Sequence, residues 1–286
     1  MPKSDHIELP TGERIAILYE DRSAIAIDKP RDWMLVPFSW QKTNRNLQAA
    51  LTSSIAAGDF WARSRGLRFL RFIHRLDADT TGILLLAKSQ GALASYGALF
   101  ESREMEKTYL AVVAGVPNQP QWTCRLKIGL DPDERGRMMV DVRHGKQAET
   151  HFRVLQAREE IALVEARPLT GRTHQIRVHL AESGHPIVGD ELYGNASATK
   201  ISGRTRNARR GEETAPYPFR IGRTRSPHRA AEHAVANKPQ KAARVSHLGL
   251  RAVELAYIDP FTRRRVQIRA PMEDFVREYG FEIPKI

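Results

Sequence analysis

The sequence predicts an α+β fold: one large, mixed and mainly antiparallel sheet with a few flanking helices. Three observations lead there. Strand-like apolar runs outnumber helical ones. They alternate irregularly with the helices, unlike the regular series of a parallel βαβ protein. No internal repeat appears, and neither a GxGxxG nor a GxxxxGK phosphate loop can be read anywhere.

The elements follow in order. In RIAILYEDRSAIAIDKP, two apolar runs flank Glu20-Asp21-Arg22-Ser23, which predicts a β-hairpin closed by Pro30. NRNLQAALTSSIAAG has helical spacing through Leu47, Leu51 and Ile55, with Gly58 as the stop. GILLLAK reads as a buried strand. Ser89 then caps a helix in QGALASYGALFESRE, whose Leu93, Tyr96, Leu99 and Phe100 share a face. KTYLAVVAGV, QWTCRLKIGL, GRMMVDVRHG, ETHFRVLQA and IALVEARPL continue as strands. THQIRVHLAESGH predicts a short helix capped by Thr173 and ended by Gly184. GLRAVELAYIDPFTRRRVQIRAP predicts a hairpin turning at Asp259-Pro260-Phe261-Thr262, and MEDFVREYGF a terminal helix.

One segment departs from this pattern. Between Lys200 and Arg229 stand nine basic residues and two acidic ones, with few apolar residues and no steady period. Such a stretch buries too little to offset its ordering entropy. The expected organisation is a single domain over 1–286, with a mobile basic insertion at about 196–246.

Composition narrows the function. The chain has 286 residues, 45 Lys and Arg against 33 Asp and Glu, and a formal charge of +12, which predicts a polyanionic partner, most simply nucleic acid. Its one cysteine, Cys124, cannot form an internal disulfide, and no Cys/His set has zinc spacing. There is no signal-peptide core and no apolar run of membrane-spanning length. The expectation is a cytoplasmic protein with no metal and no membrane association.

Three polar islands hold the candidate chemistry. In HRLDADTTG, His74, Arg75, Asp77 and Asp79 crowd the entry to a buried strand; taken alone, this is also an ordinary Asp/Thr turn. In EMEKTYLAVVAG, Lys107 and Tyr109 share a strand face, where the ring could stack on a base. In RPLTGRTHQIRVHLAESGHPIVGD, Arg172, His174, Arg177, His179 and His185 gather at a helix start, where anions are favoured. A lone carboxylate can act as a nucleophile at an anomeric carbon.

These residues, in this order, resemble the RluA-type pseudouridine synthase family. HRLDADTTGILLLAK is similar to its HRLD signature, EKTYLAVVAG to its second motif and RPLTGRTHQIRVHLAESGHPIVGDELYG to its third; GKQAETHFRVL also follows the pattern. The resemblance spans roughly Ile15 to Tyr193 and resumes from Leu248 to Phe275. It implies the pseudouridine synthase fold and isomerisation of uridine to pseudouridine in ribosomal or transfer RNA, without cofactor or metal. It implies Asp77 as nucleophile, Tyr109 against the target base and Arg177 paired with Asp77. Arg75, Arg172, His174 and Lys107 are then the expected RNA contacts. Three positions depart from the pattern: Thr81 stands in place of Ser, Arg251 of His, and Asp259 of His. The small N-terminal RNA-binding domain of some members is not expected here. A catalytically silent RNA-binding relative, a hydrolase releasing the base and a plain DNA-binding module are the alternatives.

Overall fold

A computed structural model describes residues 3–9, 11–35, 45–194 and 247–285. The basic insertion expected at 196–246 lies outside the described residues.

The chain opens with β1 (His6–Glu8), β2 (Arg14–Glu20) and β3 (Ala24–Lys29). Helices α1 (Leu47–Ala57) and α2 (Phe60–Arg63) follow, then β4 (Arg71–Phe72), β5 (Thr81–Ala87) and α3 (Gln90–Glu101). The middle of the chain is β6 (Glu106–Ala114), β7 (Gln121–Cys124), β8 (Ile128–Leu130), β9 (Met138–Val140), β10 (Thr150–Arg158) and β11 (Ile161–Pro168). Then come α4 (Gln175–Glu182), β12 (Leu250–Ile258), β13 (Arg265–Arg269) and α5 (Glu273–Glu278).

Eleven strands form one sheet in the order β1-β2-β3-β5-β12-β6-β11-β10-β7, with β4 beside β5 and β13 beside β12; β8 and β9 form a separate ribbon. Within this sheet β5 and β12 run parallel, and the other pairs are antiparallel. The expected mixed, mainly antiparallel architecture is therefore the observed one.

The sheet is covered on both faces, and the period of two in β6 shows how. Tyr109, Ala111 and Val113 join the large cluster that includes Trp33, Leu47, Leu51 and Tyr96. Leu110 and Val112 face the other way, onto Phe275, Val276 and Tyr279 of the C-terminal segment. A third cluster, with Ile128, Val178, Ala181 and Tyr193, ties α4 to the β8–β9 ribbon.

Two helices carry side-chain caps, of which the sequence predicts the one at Ser89. Asn46 Oδ1 accepts from the Ala49 N–H at 3.1 Å, and Ser89 Oγ accepts from the Ala92 N–H at 3.1 Å. The start of α4 differs from expectation. Its N-cap is His174, not Thr173, with a left-handed backbone (φ 54°, ψ 19°) and no side-chain cap bond. The whole run from Gln175 to Ala181 is buried, so the helix is fixed by packing and tertiary hydrogen bonds.

Candidate active site

Four pieces of chain meet around a cavity of about 450 Å³: the loop from β4 to β5, the end of α3, the start of β6, and the β11–α4 connection with α4. That volume falls in the roughly 300–1,000 Å³ range of small-ligand pockets. Its wall includes Arg75, Asp77, Lys107, Tyr109, Arg172, His174 and Arg177. The seven residues to which the resemblance gives a role are thus brought together, while Asp79, His179 and His185 stand outside the wall.

Asp77 precedes β5, and two features fix its loop. Gly82 has φ +105°, and a Cβ there would stand 2.0 Å from the Ala252 carbonyl oxygen, so only glycine lets β5 approach β12 so closely. The fully buried Lys29 ammonium donates to the carbonyls of Pro30 (2.9 Å), Ala78 (2.6 Å) and Thr80 (3.0 Å), bolting the loop to the end of β3. Burial lowers the Lys29 pKa to about 8, against the pull of Asp79 and Asp77. Asp79 itself is exposed and is not part of the cavity wall.

Arg177 reaches Asp77 with one arm: Nη1 donates to Oδ2 at 3.3 Å. Its other two donors make a bidentate pair with Asp190, Nε to Oδ2 at 2.8 Å and Nη2 to Oδ1 at 2.8 Å. Burial works against the Arg177 charge, but Asp190 and then Asp77 overcome it and hold the guanidinium protonated. Asp190 Oδ1 also accepts from the Leu192 and Tyr193 N–H groups at 3.1 Å. Gly189 sets up this turn: at φ +74° it passes so close to the His247 carbonyl that a Cβ would stand 2.0 Å from its oxygen.

The remaining wall residues differ in how well they are partnered. Lys107 Nζ donates to Thr170 O at 3.2 Å and lies 5.7 Å from the centre of the Phe100 ring; burial lowers its pKa to about 8. The buried Tyr109 hydroxyl is pushed up, first by desolvation and then by Asp77, so it remains protonated. Arg172 donates Nε–H to Gln147 O at 3.0 Å. Arg75 is exposed and has no ion-pair partner among the described residues. His74 stacks on Phe100 and accepts from the Leu85 N–H at 3.1 Å through Nε2; burial and then Lys107 depress its pKa to about 3. His179 turns away from the cavity, to Thr150 Oγ1 (2.9 Å) and Leu126 O (3.0 Å).

Sequence reasoning did not single out Lys29, Asp190 or Tyr193. The Tyr193 ring lies 5.1 Å from the Arg177 guanidinium and its hydroxyl is 2.8 Å from His174 Nδ1. The string GDELYG, ending the third motif, was the available signal. The departures at Arg251 and Asp259 prove to be structural. Arg251 donates to Asp28 at 2.7 Å and to Pro271 O at 2.8 Å. Asp259 closes the β12–β13 turn onto Phe261 and Thr262 and accepts from the Tyr96 hydroxyl at 2.7 Å. Neither residue lines the cavity. Among the described residues no group of His, Cys, Asp and Glu is arranged to hold a metal ion, and no helix is long and apolar enough to cross a membrane.

A long mixed sheet thus presents an aspartate, a tyrosine and an arginine at one cavity, an enzyme-like arrangement. A family model described as RNA pseudouridylate synthase matches residues 25–182, and the chain belongs to that family. It is 41% identical over 140 residues to a ribosomal large subunit pseudouridine synthase C of Vibrio parahaemolyticus, covering 48% of this chain and 43% of that one. It is 35% identical over 191 residues to the uncharacterized RNA pseudouridine synthase YhcT of Bacillus subtilis, covering 66% of this chain and 61% of that one. The chain thus spans about half the length of the curated relatives it matches. Two solved human structures share the fold. RNA pseudouridylate synthase domain containing 1 superposes with a TM-score of 0.59 at 25% identity, over 91% of this chain and 84% of that one. Domain containing 4 gives 0.64 at 23% identity, over 94% of each.

Proposed function

We propose that this protein is an RNA pseudouridine synthase with Asp77 as nucleophile. The observation that carries the reading is the Asp77 carboxylate at the cavity wall, 3.3 Å from an arginine anchored behind it by Asp190. A uridine turned out of its stack would place its anomeric carbon against Asp77. Its glycosidic bond at N1 is broken, the uracil turns, carbon 5 is joined to the ribose, and the hydrogen lost from carbon 5 is matched by one gained at N1. Unstacking costs a few kcal/mol, which favours uridines in loops and bulges.

Each neighbour supports a step. Arg177 orients Asp77, and Asp190 keeps Arg177 from swinging into the cavity. Tyr109 packs its ring on the uracil. As a phenol held protonated, it acts by contact and by donating a hydrogen bond, not as a resting-state base. Lys107, Arg75 and Arg172 ring the mouth of the cavity and contact the RNA backbone. Ribosomal RNA of the large subunit is the first substrate to try, because relatives bearing that name match over 131–140 residues at 41–44% identity. A cytoplasmic location belongs to the same proposal.

The test is Asp77→Asn against RNA carrying tritium at uridine carbon 5, with nucleoside chromatography of the product. Release and pseudouridine formation should fall by at least about a thousandfold, as for loss of a nucleophile. Release near the wild-type level would overturn the assignment. Free uracil in place of pseudouridine would instead identify a hydrolase.

A further inference from the structure

His174 occupies a position that a histidine takes only under constraint. Its backbone is left-handed at φ 54°, a conformation costly for a side chain with a Cβ and characteristic of functional sites. Its ring is packed edge-on against Tyr193, with centroids 5.7 Å apart. Its two nitrogens face different partners: Nδ1 lies 2.8 Å from the Tyr193 hydroxyl, and Nε2 lies 3.9 Å from Asp77 Oδ1.

The proton count of this chain of contacts has one solution. Tyr193 is buried, and its hydroxyl oxygen accepts from the Met138 N–H at 2.9 Å. That hydroxyl has a single hydrogen, and among the described residues its only other partner is His174 Nδ1. Were Nδ1 the donor, the phenol oxygen would accept twice and its buried hydrogen would have no acceptor, which is costly. The satisfied arrangement has Tyr193 donating to Nδ1. The phenol pKa, pushed up by burial to about 12, keeps that hydrogen in place. Nδ1 is then an acceptor, and the hydrogen of a neutral imidazole must sit on Nε2.

We propose that Tyr193 and the Met138 amide lock His174 as its Nε2–H tautomer, so that His174 acts as a positioning residue donating to Asp77 Oδ1 while Arg177 donates to Oδ2. With a donor for each oxygen, the carboxylate cannot spin about its terminal bond. The 3.9 Å gap closes once a nucleotide expels water from the cavity, as catalytic hydrogen bonds commonly tighten on binding. The groups facing the ring are Asp77, Arg177, Asp190, Arg75 and Tyr193; burial, the largest influence, lowers its pKa and keeps it neutral. The inference deepens the synthase reading and rests on it for its effect on catalysis. The tautomer itself does not.

Two measurements test it separately. Nitrogen-15 spectra of selectively labelled full-length protein at pH 7 should show His174 neutral with the hydrogen on Nε2. In Tyr193→Phe that preference should be lost while the fold is retained. A wild-type spectrum with the hydrogen on Nδ1, or a positively charged ring, would overturn the lock. For catalysis, a pair of substitutions separates positioning from a merely structural role. Asparagine tolerates the left-handed backbone but carries no donor as far out as Nε2, whereas glutamine places its amide nitrogen there. His174→Gln should therefore keep more of kcat than His174→Asn, by about tenfold or more, with KM little changed. Asn outperforming Gln would mean that the backbone, not the donor, is what His174 supplies. If wild type makes no pseudouridine while the Nε2 hydrogen is observed, the functional reading fails and the tautomer assignment stands.

Discussion

Glu20 and Asp77 are equally accessible carboxylates that the fold treats in opposite ways. Their side chains are 15% and 17% exposed. Glu20, at the end of β2, takes three cations: Lys3 at 3.1 Å and Lys88 at 2.8 Å on Oε1, and Arg65 at 2.8 Å on Oε2. Burial works to raise its pKa, yet hydrogen bonds from Lys88, Lys3 and Arg65 pull it down to about 2. Asp77 has one arginine contact at 3.3 Å and an imidazole nitrogen at 3.9 Å. Exposure therefore does not separate a carboxylate spent on the fold from one left open to a ligand. Unspent hydrogen-bonding capacity does: Glu20 has satisfied its charge inside the protein, and Asp77 keeps most of its own for a ligand.

The largest effect on stability should come from the group behind the site. Asp190→Asn removes the bidentate partner of a buried guanidinium and leaves a charge without its counter-ion. Breaking such a pair costs about 3–5 kcal/mol. Denaturant unfolding should show a loss of unfolding free energy of that size, together with loss of pseudouridine formation. A change below about 1 kcal/mol would mean that Asp77 takes over the pairing when Asp190 is gone.

Glu20→Gln comes next, at about 1–2 kcal/mol for three charge-assisted hydrogen bonds at a partly solvated site. Its pH signature is sharper than its size. The folded value of about 2 lies below the ordinary glutamate value of 4.5. The stability it contributes is thus complete above about pH 4.5 and is lost as pH falls toward 2. The difference in unfolding midpoint between wild type and Glu20→Gln should shrink across that window. Asp77→Asn should change stability by less than about 0.5 kcal/mol in either direction, because little of its capacity is spent in the fold. Equal costs for Glu20→Gln and Asp77→Asn would end the distinction between the two carboxylates.

Local pattern made much of the fold legible, and long-range contact set the limit. Both hairpins, β2–β3 and β12–β13, and the Ser89 cap could be read because turn chemistry and caps act within a few residues. Strand β1 could not, since three residues with only Ile7 fully buried show no period. Thr173 looked like the cap of α4 by residue type, but tertiary bonds to His174 and Gln175 decide that terminus. Within the site, spacing put Lys107 and Tyr109 on one face. It could not reveal Lys29, two of whose three acceptors stand 49 and 51 residues away, because a lysine in IDKP has no local mark of burial. Asp190 was hidden likewise: thirteen residues beyond Arg177, it reads as part of a turn until the fold brings the two together.

Lys107 is the cationic counterpart of Asp77, and its effect is read in binding and not in stability. No ion-pair partner holds it among the described residues, and its pKa is lowered to about 8 by burial alone. The sign follows directly: the ammonium is charged below about pH 8 and neutral above it. If it meets a phosphate of the bound RNA, affinity should weaken between pH 7 and pH 9 by about tenfold or less, the scale of a single phosphate contact. Fluorescence anisotropy at constant salt measures this. Lys107→Arg keeps its charge throughout and should remove the pH dependence, while Lys107→Met should bind weakly at every pH. A wild-type affinity flat from pH 7 to pH 9 would show that Lys107 spends its charge inside the protein, on Thr170 and the Phe100 ring, as Glu20 spends its own.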